Sequence, residues 1–218
     1  IRFSVKLSLI SCTLTTVFSL WVAVPAAYLL SRFDFPGKRI VDAVLDIPIV
    51  LPPLVIGLSL LILFQTPLAR HLERLMTVTY AVPAVILSQF MVACAFAVRT
   101  MMATFDQITP RGERVALTLG CNYGQAFWLV ALPEARRGVL TAASLAWARA
   151  LGEFGPILVF AGATRMRTEV LPTTVFLELS IGNIEAAVAV SLIMVIAALV
   201  VLGIVRIFGA PPSRQQIL

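Results

Sequence analysis

Long runs without charged residues dominate the hydropathy pattern of this chain. Four of them contain no Asp, Glu, Lys or Arg, and a fifth is interrupted only by Arg149 and Glu153. In chain order the five runs are 7–31, 47–69, 75–98, 138–164 and 186–205. Each is long enough to cross the hydrocarbon of a bilayer, which takes about 20 apolar residues in a helix. Because lipid offers no partner to bare backbone groups, the pattern predicts five transmembrane helices.

The predicted fold class is therefore all-α and integral to the membrane, as a single transmembrane domain that covers residues 1–218. A β-barrel would instead contain short segments of alternating hydropathy, and the sequence has none that we recognise. Residue 1 is Ile rather than Met. We expect five spans in this chain, and six in the full-length protein if a helix precedes residue 1.

The second apolar run contains an unusual group of prolines in the stretch IPIVLPPLVIGL. Pro48, Pro52 and Pro53 each lack an N–H and crowd the preceding turn of a helix. Two interpretations stay open at this stage. In the first, the span is broken there, and neighbouring helices or a water-filled path satisfy the freed carbonyls. In the second, the helix begins late, near Pro52, since proline suits a first turn.

The composition agrees with a membrane location. Of the 218 residues, 60% are hydrophobic and only 13% are charged, whereas about a quarter of a soluble domain is charged. The net charge of +6 would also suit a nucleic-acid partner. The charges lie in short clusters between the apolar runs, however, as membrane-flanking residues do. We therefore expect the lipid bilayer as the partner of these charges, and no nucleic acid.

The Lys and Arg residues between the spans predict the orientation. With the N-terminus outside, ten of them lie on the inner side and six on the outer side, which favours N-out and C-in. The inner set is Arg32, Lys38, Arg39, Arg99, Arg111, Arg114, Arg136, Arg137, Arg206 and Arg214, and the outer set is Arg2, Lys6, Arg70, Arg74, Arg165 and Arg167. The polar segment 163–185 is then extracytoplasmic, and its patch LPTTVFLEL is predicted to form a short surface helix.

Enzyme chemistry finds little support in the sequence. There is no GxxxxGK[ST] motif for nucleotide phosphates and no HExxH zinc motif. Cys12, Cys94 and Cys121 are scattered without a CxxC pair. The single histidine, His71, has no nucleophile partner that the sequence identifies. We expect no catalytic site, no metal and no cofactor in this chain.

The longest polar segment, 111–137, follows the third apolar run and begins with a predicted short helix. Thr109 would cap this helix and Pro110 would occupy its first turn. Glu113 falls early in it, where a carboxylate favours the positive end of the helix dipole, and Gly120 fits a left-handed stop. The apolar face of the helix would consist of Val115, Ala116 and Leu119, with Leu117 beside them.

A second short helix is predicted over about 122–131, and Leu132-Pro133 would end it. It would present an apolar face made of Phe127, Leu129 and Val130. Apolar faces on a loop in water must be buried somewhere. They are covered either by the membrane surface and the protein's own helices, or by a soluble partner.

The same loop resembles the EAA loop of permeases from ATP-binding-cassette (ABC) importers. The pattern is E-x-x-A-x-x-x-G, then nine residues, then an apolar residue, x and Leu-Pro. The matching residues are Glu113, Ala116, Gly120, Val130, Leu132 and Pro133, with Leu119 on the same helix. Val115 departs from the alanine that is usual at its position. The resemblance implies a coupling loop, about 104–135, that docks in a cleft of a separate ATPase and transmits its closure to the spans.

A second match concerns the substrate. The stretch RALGEFGPILVFAG, residues 149–162, is similar to a segment of molybdate, tungstate and sulfate permeases, and IPIVLPPLVIGL resembles their proline-rich core helix. Together the matches cover most of residues 5–208. They imply a permease for a tetrahedral oxyanion, most of all molybdate. Permeases for ferric iron, thiamine and polyamines share much of this scaffold and are the first alternative.

Arg149 and Glu153 also have a physical interpretation. A charge near mid-membrane costs about 2.5–3.5 kcal/mol on insertion scales, so the two residues are expected to pair, and i, i+4 spacing places them on one helix face. The pair either stabilises the bundle or marks a face that lines the translocation path. Gly152, Gly155 and Pro156 would loosen the helix there, and Pro52 and Pro53 are the other candidate path residues. Glu153 is not expected to bind an anion, from which Arg149 would shield it.

The resemblance also implies the assembly. The chain would be a multi-pass permease with the type I importer fold in the cytoplasmic (inner) membrane of a prokaryote. Its partners would be two cytoplasmic ATPase subunits that bind ATP and Mg²⁺, an extracytoplasmic substrate-binding protein, and a second copy of the chain across a two-fold axis. A self-contained secondary transporter is a less favoured alternative, since it would need inverted repeats and intramembrane ion ligands. A membrane scaffold that only binds a partner would have neither broken spans nor a buried charge pair.

Overall fold

The computed structural model describes residues 2–209, apart from the side chains of Leu68, Leu72, Leu75 and residues 204–209. Within that range every regular element is helical. The α-helices are α1 (Arg2–Arg32), α2 (Lys38–Val50), α3 (Pro53–Phe64), α4 (Pro67–Leu75), α5 (Val82–Gln107), α6 (Arg111–Thr118), α7 (Tyr123–Ala126), α8 (Leu132–Glu134), α9 (Arg136–Leu151), α10 (Leu171–Ser180) and α11 (Ile184–Gly209). Two π-helical turns occupy Phe127–Ala131 and Ile157–Ala161. Arg214, which entered the orientation prediction, lies outside the described residues, as does the side chain of Arg206.

Three helices among the described residues are long and apolar enough to cross a membrane by themselves, namely α1, α5 and α11. They confirm the first, third and fifth predicted spans. The third span begins at Val82 rather than at residue 75. Residues 77–81 form turns instead, and Tyr80 has a positive φ of 56°. Arg99, expected at a helix flank, lies inside α5.

The second predicted span consists of two helices. α2 and α3 meet at an angle of 115°, with the bend at Leu51-Pro52. α3 starts at Pro53. The N–H groups in the first turn of any helix have no intrahelical partner, so a proline there costs no hydrogen bond. A late start is therefore correct for α3, but α2 precedes it from Lys38, well before the predicted boundary at residue 47, and includes Pro48. Arg99 of α5 holds α2 through ion pairs to Asp42 (2.6 Å) and Asp46 (2.7 Å).

The fourth predicted span is also interrupted. α9 has 16 residues and ends at Leu151, which is short for a complete crossing. The backbone is irregular at residues 152–154. It continues as the second π-helical turn, which stops at Gly162 with φ of 73°. The five predicted spans thus correspond to three continuous helices and two interrupted ones.

The centre of the bundle is built on a close approach between α1 and α5. Small residues on a membrane helix let a neighbouring backbone come near. Most of the residues that α1 buries are small, among them Ser4, Ser8, Ser11, Thr15, Ser19, Ala23 and Ala27. α9 packs against both helices and α11 packs against α9. A second cluster joins α3, the start of α5 and the second π-helical turn through Ile56, Val85 and Phe160.

α1 and α5 run parallel, so their ends define the two ends of the molecule. At one end Tyr28 packs on Phe105, beside residues 111–134. At the other end the Ser8 hydroxyl accepts a hydrogen bond from the Leu171 amide (2.8 Å). The predicted helix in LPTTVFLEL is confirmed as α10. It is not confined to the surface, however, because Glu178 is buried on it and pairs with Arg165 (2.8 Å).

Candidate functional site: the short helices and the crossing of two interrupted spans

The short-helix unit, residues 111–134, comprises α6, α7, the first π-helical turn and α8. α6 starts at Arg111, after Pro110, and Thr109 provides no side-chain cap, so the predicted start was one residue early. Gly120 has φ of 94°. The Cys121 amide donates to the Ala116 carbonyl (3.1 Å), which closes the helix end as a left-handed C′ residue allows. The predicted glycine stop is confirmed.

The predicted apolar face of α6 divides between two directions. Ala116 points inward and is buried, as is Glu113. Val115 and Leu119 point away from the bundle, and Leu119 is 80% exposed. The prediction that all three apolar residues share one face was wrong. Val115 and Leu119 are four residues apart and point the same way, whereas Ala116 lies about 100° around the helix from Val115.

α7 begins with a capping box that the sequence reasoning missed. The Asn122 side chain accepts a hydrogen bond from the Gln125 amide (2.8 Å), and the Gln125 side chain accepts one from the Asn122 amide (2.9 Å). The motif N-x-x-Q was visible in the sequence as its signal. It fixes the start of α7 three residues after the Gly120 stop, so that α6 and α7 pack as a pair.

Leu132-Pro133 does not end the second helix as predicted. The backbone stays helical at Ala131, Leu132 and Ala135 and leads into α9. A proline inside a helix lacks an N–H and clashes with the preceding turn. Here the turn Phe127–Ala131 widens to a π-helix, and the Leu132 amide donates to the Phe127 carbonyl, five residues back. The wider turn carries the chain past Pro133 without a stop.

Five large apolar side chains of the unit remain exposed in the structure. We call them the outward face: Val115, Leu119, Tyr123, Trp128 and Leu129. Trp128 is 66% exposed. Of the predicted second-helix face, Leu129 belongs to it, whereas Phe127 and Val130 are partly buried. The described part of the protein's own bundle leaves this face open, apart from the contact of the Phe33 ring with that of Tyr123.

The inward side of the unit is attached to α1 by a buried carboxylate. Glu113 is 7% exposed. It accepts hydrogen bonds from the Tyr28 hydroxyl (2.7 Å) and from Nε of Arg32 (3.0 Å). Sequence reasoning placed Glu113 near the positive end of the helix dipole and in the motif of the coupling loop, but not in contact with α1. No local pattern could have identified partners that lie 81 and 85 residues away.

The two interrupted spans cross each other through reciprocal glycine–proline contacts. A Cβ atom on Gly155 would lie 3.0 Å from Cβ of Pro53. A Cβ atom on Gly57 would lie 2.8 Å from Cα of Pro156. The start of α3 and the chain after the break at 152–154 therefore touch backbone to backbone. This crossing brings together Pro53 and Gly155, two of the predicted path residues, and adds Gly57, which the sequence reasoning missed.

Arg149 and Glu153 form the predicted pair, with 3.5 Å between Nη2 and Oε2. Glu153 lies beyond the end of α9, so the two do not share a helix face as predicted; the pair spans the helix end. Glu153 is 1% exposed, and its Oε2 has no hydrogen-bond partner among the described residues. The Arg149 side chain is 35% exposed and lies over the ring of Phe96 at 5.4 Å. Gly152 is exposed at the break.

Gln89 of α5 holds the last turn of α9. Its amide nitrogen donates to the Ala150 carbonyl (3.1 Å), and its oxygen accepts from the Thr15 hydroxyl (3.2 Å). The Ala150 carbonyl is close to the helix end, where carbonyls lack intrahelical donors. In the part of the chain that the structure describes, no three His, Cys, Asp or Glu side chains are placed to hold a metal ion.

Comparison with known proteins identifies relatives of this chain. Residues 16–210 match the family of binding-protein-dependent transport system inner membrane components. The sulfate transport system permease protein CysT of Escherichia coli (strain K12) is 31% identical over 200 residues, which cover 90% of this chain and 72% of that protein. The molybdenum transport system permease protein ModB of Mycobacterium bovis is 36% identical over 202 residues, which cover 91% and 76%.

The fold has a solved counterpart in a bacterial alginate ABC transporter in complex with alginate pentasaccharide-bound periplasmic protein. The TM-score is 0.75, and the match covers 97% of this chain and 80% of that one. The sequence identity is 16%. At that identity the likeness concerns the fold alone.

Proposed function

The chain belongs to the family of binding-protein-dependent transport system inner membrane components, and on that premise we propose that it imports a tetrahedral oxyanion. Molybdate is the first candidate, and tungstate and sulfate are the alternatives. The chain is a multi-pass permease subunit of an ABC importer. Its identity of 36% to a molybdenum permease and 31% to a sulfate permease supports this substrate class.

The outward face of the short-helix unit is the observation that carries the proposed mechanism. Leu119 and Trp128 are exposed apolar side chains at the same end of the molecule. Large apolar side chains that stay exposed on a polar loop are typical of a site where another protein binds. We take that partner to be a cytoplasmic ATPase subunit, which supplies ATP and Mg²⁺ binding for a chain that has no phosphate-binding motif of its own.

The orientation follows from the same assignment. If the short-helix unit meets a cytoplasmic ATPase, the C-terminal end of α1 lies in the cytoplasm and its N-terminal end lies outside. The excess of Lys and Arg on that side supports this arrangement. The segment 163–170 would then face the extracytoplasmic binding protein. We place the protein in the cytoplasmic membrane of a prokaryote.

We assign the translocation path to the neighbourhood of the two interrupted spans. Irregular backbone at membrane depth is tolerated where it is buried in protein or lines a cavity. Five spans are few to enclose a hydrated anion, and a homodimer would place the path on its two-fold axis. Arg149, one-third exposed beside the break, is the cation that an approaching anion would meet, while Glu153 stays buried.

Transport in this scheme is alternating access driven from a remote site. ATP binding closes two ATPase subunits, which move the short-helix units and turn the spans outward, where the binding protein releases the anion. Hydrolysis and separation return the path to the inward orientation. Each state must make different contacts with the ATPase, since a partner shifts an equilibrium only by its differential affinity.

The decisive experiment is reconstitution. The permease is purified from membranes with any ATPase that accompanies it, placed in proteoliposomes with the binding protein, and assayed for ATP-dependent uptake of labelled molybdate, with tungstate and sulfate as competitors. We expect uptake that stops without ATP and that the favoured anion suppresses at the lowest concentration. Uptake driven by an ion gradient without ATP would identify a secondary transporter instead. Uptake of iron, thiamine or polyamine alone would refute the substrate class.

A further inference from the structure

The short-helix unit also makes contacts with α1 that the docking of a partner does not require. Along the chain the unit joins α5 to α9, and these are the helices that a sequence reading would expect it to move. The structure also connects it to the end of α1, which lies about 80 residues earlier. This connection has two parts, one ionic and one aromatic, and Tyr28 takes part in both.

The ionic part is centred on Glu113. Its Oε2 accepts from the Tyr28 hydroxyl at 2.7 Å, and its Oε1 accepts from Nε of Arg32 at 3.0 Å. Arg32 also donates through Nη2 to the Ile108 carbonyl at 2.8 Å, just after α5 ends. The side chains of Arg32 and Glu113 are 12% and 9% exposed. Charge-assisted bonds with little access to water are strong and keep their geometry.

The aromatic part connects the second short helix to the same turn. The ring of Tyr28 lies 4.7 Å from that of Phe127, and the ring of Phe33 lies 5.7 Å from that of Tyr123, edge to face. α6, α7 and the π-helical turn after it therefore all contact the end of α1. A displacement of the unit as a body cannot occur without displacing α1 or breaking both sets of contacts.

α1 is well placed to receive such a displacement. It packs along its length on α5 and α9. At the far end its Ser8 hydroxyl accepts from the Leu171 amide, so α10 is attached to it as well. Movement of α1 along or about its axis would therefore reach the opposite end of the molecule. The helix spans 31 residues, about 46 Å at 1.5 Å per residue.

We propose that the hydrogen-bonded trio Tyr28, Arg32 and Glu113 transmits the movement of the short-helix unit to α1. Glu113 is the attachment point on the unit, and Tyr28 and Arg32 are positioning residues that hold its carboxylate. The proposal rests on the proposed function, because it presumes that an ATPase moves the unit. It adds that α1, rather than the chain neighbours α5 and α9 alone, is the span that receives the movement.

The test uses the complete transporter in proteoliposomes and measures anion uptake and ATP hydrolysis in the same sample. The probe is labelled molybdate or sulfate, whichever the wild-type complex accumulates. Glu113→Gln and Arg32→Gln should still co-purify with the ATPase, because the outward face is untouched. Anion moved per ATP hydrolysed should fall about tenfold, within the range of measured coupling energies. Tyr28→Phe removes only a hydroxyl and should lower the ratio less.

Two controls separate transmission from simple stability. Ser31→Ala removes a hydrogen bond between α1 and Asp106 of α5 at the same end of the molecule, without touching the unit. Its ratio of uptake to hydrolysis should equal that of the wild type. The exchange Arg32→Glu with Glu113→Arg restores an ion pair with reversed polarity and should recover a substantial part of the ratio.

The outcomes distinguish the two proposals. A wild-type complex without an ATPase, or without ATP-driven uptake, would overturn the proposed function itself. If the wild type transports but Glu113→Gln and Arg32→Gln lose the ATPase, the trio only shapes the docking surface and the transmission proposal fails. It fails equally if those variants keep the wild-type ratio, or if Ser31→Ala lowers the ratio as much. If Glu113→Gln or Arg32→Gln does not fold, Tyr28→Phe and the exchanged pair still test the transmission proposal.

Discussion

A methyl group on Gly57 should force the two interrupted spans apart. Its Cβ would lie 2.8 Å from Cα and 3.0 Å from the carbonyl oxygen of Pro156, and 3.0 Å from Cβ of Val159. Carbon atoms attract best at about 3.5–4.0 Å, so α3 must retreat by about 0.5–1 Å. The Pro156 atoms are backbone and cannot rotate away. Overpacking of this kind costs about 1–3 kcal/mol.

The matched control is Gly203→Ala in α11, where an added Cβ has nothing within 4 Å. Alanine is favoured over glycine in a helix by about 0.5–1 kcal/mol, and this gain applies to both variants. The difference between them therefore isolates the clash. The assay is thermal unfolding of the purified protein in detergent. Relative to Gly203→Ala we expect Gly57→Ala to melt about 2–12 °C lower. Equal melting of the two variants would refute the close crossing.

Three further predictions, made with five substitutions, test other parts of the structure. Gly120→Asp places a side chain on a residue whose φ is 94°. Anion uptake in cells should vanish while immunoblots of membranes still detect the protein. Normal uptake would contradict the coupling role of the short-helix unit. Arg149→Met should destabilise the protein by more than Glu153→Gln, because it leaves a buried carboxylate without its counter-charge, a loss of about 1–3 kcal/mol. Equal melting shifts would contradict this. Arg99→Gln should cost about 0.5–1.5 kcal/mol of stability, because both carboxylates are partly exposed to screening. Asp46→Asn should cost less, since Asp42 still pairs with Arg99. The reverse order would argue against this attachment through two carboxylates.

The parts of the fold that the sequence predicts are those set by local chemistry. A charge-free run must become a helix in lipid, and α1, α5 and α11 follow from that requirement alone. Gly120 is a stop because only glycine accepts its backbone angle without strain. The proline cluster at Pro52-Pro53 signals a discontinuity, because each proline removes an N–H and crowds the preceding turn.

The parts that it does not predict depend on distant partners. Proline can break a helix, start one or be absorbed by a wider turn, and the neighbours decide which. Pro53 starts α3, whereas Pro133 is absorbed in a π-helical turn. The role of Glu113 is equally hidden, since a carboxylate in a first turn suits the helix dipole whether or not Arg32 approaches it. In the sequence Gly57 is one more residue of an apolar run, and only the structure shows that Pro156 lies against it.

The short-helix unit has two chemically different sides, and this makes their roles separable by experiment. The outward side is apolar and exposed, so it contributes little to the stability of the isolated chain. Leu119→Ser should change the melting temperature little, as surface substitutions stay within about 0.5 kcal/mol, yet it should reduce the amount of co-purifying ATPase. The inward side is ionic and buried. Glu113→Gln should therefore lower the melting temperature while the amount of co-purifying ATPase stays the same. A Leu119→Ser protein that melts early while it keeps its ATPase would mean that the outward face packs against the permease itself. The division of the unit into a partner side and a transmission side would then be wrong.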